Sequence, residues 1–253
     1  MTVTQVELAP QDGAPQPRRA DDWRAIVARY QRPDVIRALY QFFTTIFLLA
    51  LAYVFMYHSM DWSYWATLAL ALPTAGLLVR TFTIMHDCAH GSFLPWRRLN
   101  DSVGYVTGVL TMTPFGQWRR EHAIHHASSG DLDRRGFGDI DTLTVREYLS
   151  RSRLGRLKYR LYRNPLTLLG LGPIHIMVMQ RFRERSTATH AKQQWSVWYT
   201  NLGILVGTLA FSWWVGFGDF FRIYFPTIYL AGAAGVWLFY VQHQFEEAYW
   251  ENH

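Results

Sequence analysis

The sequence predicts an all-α integral membrane protein, with four transmembrane helices in two hairpins, one or two interfacial or re-entrant helices, and a cytosolic cap of clustered histidines. Three observations predict it. Half of the 253 residues are hydrophobic, and they are gathered into long runs rather than dispersed. Lys and Arg are concentrated in the polar segments between those runs. The histidines fall into two tight groups, each just beyond an apolar segment.

A hydrocarbon core about 30 Å thick takes roughly 20 apolar residues as a helix. Residues 38–57 meet that length with no charge, and 62–79 form a second span in which Pro73 is a kink site. The joining segment 58–61 has no Lys or Arg. The run 103–115 is too short to cross, so it is expected to be re-entrant or interfacial. Residues 164–180 are apolar but bracketed by Arg163 and Arg181, which favours a helix lying in the interface or dipping into it. Two last spans are expected over 197–217 and 220–241, with 216–222 as their short connection.

Basic residues mark the cytosolic side of a membrane protein. The N-terminal tail, 80–100, 117–163 and 181–192 are all basic, which puts both termini and every long polar segment on that side, in a bacterial inner membrane. The formal charge of +6 is therefore read as a topology signal, and no nucleic-acid partner is expected because no motif of that class is present. A single cysteine, Cys88, excludes an internal disulfide and a thiolate metal site. Residues 1–33 contain Pro10, Pro15, Pro17 and Pro33 and no signal-peptide core. They are read as a flexible cytosolic tail, with a short surface helix from about Asp22, preceding a membrane domain over 34–253.

Five of the ten histidines sit in two boxes. His86 and His90 are spaced i, i+4 at the end of a helical span, so both rings fall on one face. His122, His125 and His126 repeat the device at i, i+3, i+4. His243 directly follows the last span. Imidazole clusters of this kind suit iron, zinc or copper. His58, His175 and His190 match neither box and are read as surface or interfacial residues. Asp87 and Asp139 or Asp141 are candidates to orient an imidazole through its other nitrogen, although a loop-capping role fits them equally. Asp131 and Asp133 do not make a calcium loop, because Arg135 and Thr142 stand where ligands are needed.

The segments HDCAHGSF, WRREHAIHH, SSGDLDRRGFGDIDTLTVREYL and VQHQFEEAYW together resemble the membrane fatty acid desaturases, closest to the acyl-lipid omega branch. Ala89 stands where the first box usually has Gly. The resemblance implies a fatty acyl substrate in the lipid bilayer, a di-iron centre, dioxygen as co-substrate, and an external electron donor of ferredoxin or cytochrome b5 type. It implies His86, His90, His122, His125, His126 and His243 as iron ligands. The family's third box, HxxHH, is not found up to His253, so the sequence reads as a desaturase incomplete at its C-terminus, with doubtful iron occupancy and no expected activity alone. A carotenoid, sterol or alkane hydroxylase or ketolase of the same superfamily, and an inactive membrane protein, are the competing readings.

Overall fold

The computed structural model describes residues 26–28, 32–135, 140–182 and 191–242. The expected tail and its surface helix therefore lie mostly outside the described residues, as do Asp139, His190 and His243; residues 26–28 are helical. The described residues are helical throughout their regular structure. The helices are α1 (Val35–Ser59), α2 (Tyr64–His90), α3 (Arg97–Leu110), α4 (Phe115–Ser128), α5 (Val145–Ser150), α6 (Arg153–Tyr162), α7 (Pro165–Gly170), α8 (Gly172–Met179), α9 (Ala191–Val215) and α10 (Phe217–Val241).

Three of them, α1, α2 and α10, are long and apolar enough to cross a membrane. The fourth expected span forms as α9 and equals α1 in length at 25 residues, but its Trp, Tyr and Asn residues leave it outside that apolar set. Of the run expected to be re-entrant, residues 103–110 form the second half of α3, a 14-residue helix about 21 Å long and too short to cross alone, and Phe115 already opens α4. The apolar segment after Arg163 divides into α7 and α8, which pack on α10. One boundary needs correction. The sequence places 216–222 in a connection and starts the last span at 220, but helix α10 already begins at Phe217. Gly216 alone breaks the chain between α9 and α10, at φ +91°, a left-handed conformation that favours glycine.

The interior of the bundle is threaded with threonines. Thr45, Thr67, Thr74, Thr81, Thr107 and Thr227 are all buried. In a hydrocarbon environment their hydroxyls must be satisfied from within. Thr45, Thr74, Thr81 and Thr227 each donate to the carbonyl four residues earlier. Ser59 and Thr67 instead join α1 to α2 through a 2.8 Å hydroxyl pair beside their turn. Deep apolar clusters form around Leu49, Leu78 and Ile228, and around Met56, Ala71 and Ile223. A third cluster, comprising Ile84, Met85, Cys88, Phe93, Leu94 and Phe115, lies under the histidine end of α2.

That third cluster requires close approach of α3 to the start of α4. A Cβ on Gly104 would collide with the fully buried Phe115 ring. Gly104→Ala is therefore expected to destabilise the protein by about 1–3 kcal/mol. A Cβ added at Gly76 would meet nothing within 4 Å, so Gly76→Ala supplies the control and should be neutral or slightly stabilising. Thermal unfolding of the two variants in the same detergent checks this; equal melting temperatures would contradict the packing described.

Candidate metal centre

Helix α2 runs uninterrupted from the apolar interior to His90. It stops there because Gly91 adopts φ +71° and the chain closes a Schellman turn, with Gly91 N donating to Cys88 O at 3.1 Å and Ser92 N to Asp87 O at 3.0 Å. Buried Asn100 holds the following turn from both sides: it accepts from Leu94 N at 2.9 Å and donates to Leu94 O at 2.6 Å. Helix α4 is fixed at its start by Ser196 of α9, whose hydroxyl accepts the Gly116 N–H at 2.7 Å. That bond satisfies one of the N–H groups that the first turn of a helix leaves without an intrahelical partner. Arg119 also ties α4 to α3 through Asp101 at 2.5 Å.

With both helices anchored, the two boxes meet. One ring nitrogen from each of His86, His90, His122 and His126 lies within 4.8 Å of the others. His122 is central: its Nε2 is 3.1 Å from His90 Nε2 and 3.0 Å from His126 Nε2. His86 completes the group, with its ring centroid 4.7 Å from that of His122 and 4.6 Å from that of His90. Four convergent imidazoles without a carboxylate among them form a donor set for a borderline transition metal such as iron.

His125 is placed differently. It is buried, its ring is 6.0 Å from His122, and it packs against Phe239 of α10 at 5.3 Å. The helical periodicity explains this, since i+3 and i+4 diverge by about 100° around the axis. Asp87 does approach a candidate ligand, with its Oδ1 3.3 Å from His86 Nδ1. That contact leaves His86 Nε2 for the centre. Asp141 lies in a loop whose backbone is held by Tyr162 and Arg163. Asp131 is occupied locally, accepting from Arg134 Nε at 2.6 Å and Asp133 N at 2.9 Å.

One residue of the site escaped the sequence reading. Trp118 stacks on the His122 ring at 4.3 Å and 18° and lies 5.8 Å from His86. Phe82 in turn meets Trp118 edge-on at 5.2 Å. The available signal was the i−4 spacing of Trp118 to His122 on one helix face. This wall restricts the ring to one orientation.

Burial, followed by the repulsion of His86, His126, His90 and His125, pushes the His122 pKa down from 6.5 to about 3. His122 is thus held as the neutral, metal-competent imidazole at physiological pH. The consequence for stability has a definite sign. Between 6.5 and about 3 the unfolded chain takes up a proton that the folded chain refuses. The contribution is fully present above pH 6.5 and is lost as pH falls through that window. Metal-free protein is expected to melt several degrees lower at about pH 5 than at about pH 8, and His122→Asn should flatten the dependence. Thermal unfolding against pH in the presence of a chelator measures it; the same slope in both proteins would rule out His122 as the cause.

Comparison with known proteins places this geometry in context. Residues 60–253 match the family model described as fatty acid desaturase. A fatty acid desaturase of Bacillus subtilis is 42% identical over 226 residues, covering 89% of this chain and 64% of that protein. An sn-1 acyl-lipid omega-3 desaturase (ferredoxin) of Synechocystis is 33% identical over 109 residues, covering 43% of this chain and 30% of that protein. An omega-3 fatty acid desaturase of the endoplasmic reticulum from Vigna radiata is 27% identical over 124 residues, covering 48% of this chain and 32% of its own length. The chain therefore spans less than two thirds of the length of each of these relatives.

Proposed function

The chain belongs to the fatty acid desaturase family, and from that premise we propose that it is an oxygen-dependent oxidoreductase that introduces a double bond into a fatty acyl chain. The observation that carries the proposal is the convergence of His90 and His122, 32 residues apart in sequence, with His86 and His126 into one imidazole cluster at the end of an apolar helix. Removing hydrogen from an unactivated methylene is beyond side-chain acids and bases, and iron with dioxygen supplies the oxidising power when bound. His86, His90, His122 and His126 would hold one iron, and His125 and His243 belong to the full ligand set of a di-iron centre. Here Asp87 fixes the His86 tautomer, Trp118 fixes the His122 plane, and an apolar cluster backs the boxes.

The proposed membrane arrangement has four spans, α1, α2, α9 and α10, with both termini and both histidine boxes cytosolic in a bacterial inner membrane. Arg97, Arg98, Arg119 and Arg120 flank the boxes on α3 and α4, which supports that orientation. Electrons would come from an external carrier of ferredoxin or cytochrome b5 type. The ferredoxin in the name of the Synechocystis relative supports the first of these.

Gas chromatography–mass spectrometry of fatty acids from a bacterial host expressing the chain together with the coding sequence downstream of His253 tests the reaction. New unsaturated species are expected, falling to background in His86→Ala and His122→Ala. Trp118→Leu should weaken metal retention by roughly 10-fold or more while leaving the fold intact, as loss of a ligand-orienting neighbour does. Hydroxylated products in place of double bonds would move the assignment to a hydroxylase. An unchanged lipid profile from folded, iron-loaded protein supplied with reductant would overturn it.

A further inference from the structure

Helix α6 turns its apolar face away from the protein. Leu154, Leu157 and Leu161 recur at i, i+3, i+7 and are 60%, 51% and 54% exposed. The opposite face, Gly155, Arg156, Tyr159 and Arg163, is the half-buried one. An amphipathic helix resting on a globular surface in water would present its leucines inward. Here they point outward, and among the described residues nothing covers them.

The cations are arranged around that leucine face. Residues 151–163 contain Arg151, Arg153, Arg156, Lys158, Arg160 and Arg163 and no acidic residue. On the helical wheel, Arg153 and Arg160 border the leucine stripe on one side and Lys158 on the other. All three are exposed. On the Arg160 flank, Arg160 and Arg163 share an open cleft with the apolar side chains of Leu143, Val145, Tyr148 and Tyr159.

The height of the helix is fixed independently. The Arg163 guanidinium lies 5.2 Å over the ring of Tyr240, in the last turn of the membrane-crossing candidate α10. The inner face is tethered by Tyr159 Oη, which accepts from Leu143 N at 3.2 Å, and by Arg163, which donates to Asp141 O at 3.2 Å. Helix α6 is thus held beside the C-terminal end of a membrane-crossing candidate.

We propose that α6 is an anchor for anionic lipid: Leu154, Leu157 and Leu161 enter the acyl boundary while Arg153, Lys158 and Arg160 reach up to headgroup phosphates. Long basic side chains beside an apolar stripe are suited to this geometry. Anionic lipid on the cytosolic leaflet supplies the opposite charge. An acidic soluble protein would meet the arginines but would leave three leucines to be covered by a polar surface. The inference rests on membrane embedding and not on the metal chemistry.

The test uses the full chain in vesicles, with an environment-sensitive fluorophore on Leu157→Cys; the native Cys88 is buried and does not compete for label. The label should be quenched by doxyl lipid at least twofold more in phosphatidylcholine–phosphatidylglycerol vesicles than in phosphatidylcholine alone. The charge variant Arg153→Gln/Lys158→Gln/Arg160→Gln should lose that difference, with unchanged circular dichroism establishing that it folds. A second label at Leu161→Cys must behave in the same way. A label open to aqueous iodide in both vesicles would overturn the proposal, as would a label shielded from iodide yet untouched by doxyl lipid, which would mean that protein covers the stripe. Equal quenching in the charge variant would overturn the anionic component. A control label within α1 reports embedding itself, so failure of insertion is distinguished from failure of the anchor.

Discussion

The site depends on the length of one helix. Helix α2 has 27 residues, or about 40 Å, against a hydrocarbon core of about 30 Å. About two turns are therefore surplus to a crossing, and they carry His86 and His90. The same rod that is long and apolar enough to cross a membrane carries two imidazoles at its C-terminal end. The glycine turn at Gly91 ends the rod directly after the second histidine. The α2 histidine pair thus keeps a fixed spacing and azimuth, and only α4 remains to be positioned.

Positioning α4 requires unusual backbone. Between α3 and α4, Met112 adopts φ +55°, a conformation that costs a non-glycine residue about 1–3 kcal/mol. Arg181 holds that turn by donating to Met112 O, and it also bonds Asn201 Oδ1 at 3.0 Å. Asn201 donates back to Arg181 O at 2.9 Å. Burial lowers the Arg181 pKa from its ordinary value, yet a guanidinium remains charged under all working conditions. One half-buried cation thus links the α3–α4 turn, the end of α8 and the middle of α9. The geometry of the second histidine box is maintained by a residue that contacts none of its histidines.

Much of this was legible in the sequence, because the bilayer imposes simple rules. Apolar runs near 20 residues pointed to α1, α2 and α10, and the i, i+4 spacing of His86 and His90 to their shared face. What was not legible depended on tertiary contact. Periodicity groups His125 with His122 and His126, but packing against Phe239 of α10 separates it from the four-imidazole cluster. Trp118 is one of eleven tryptophans, and only the folded chain shows that it stacks on a candidate ligand. The early start of α10 was hidden because Asp219 and Arg222 made a helical first turn look like a loop. The outward-facing leucines of α6 were hidden for a related reason: the dense arginines dominate that segment and mask the stripe between them.

The central claim is that two histidine boxes form one metal centre. Iron K-edge X-ray absorption on the purified chain tests it most directly. The expected spectrum shows the multiple-scattering pattern of several imidazoles bound to iron, diminished in His86→Ala and in His122→Ala alike, since both boxes share the ion. A spectrum dominated by oxygen ligands, or one unchanged when either box is altered, would contradict it.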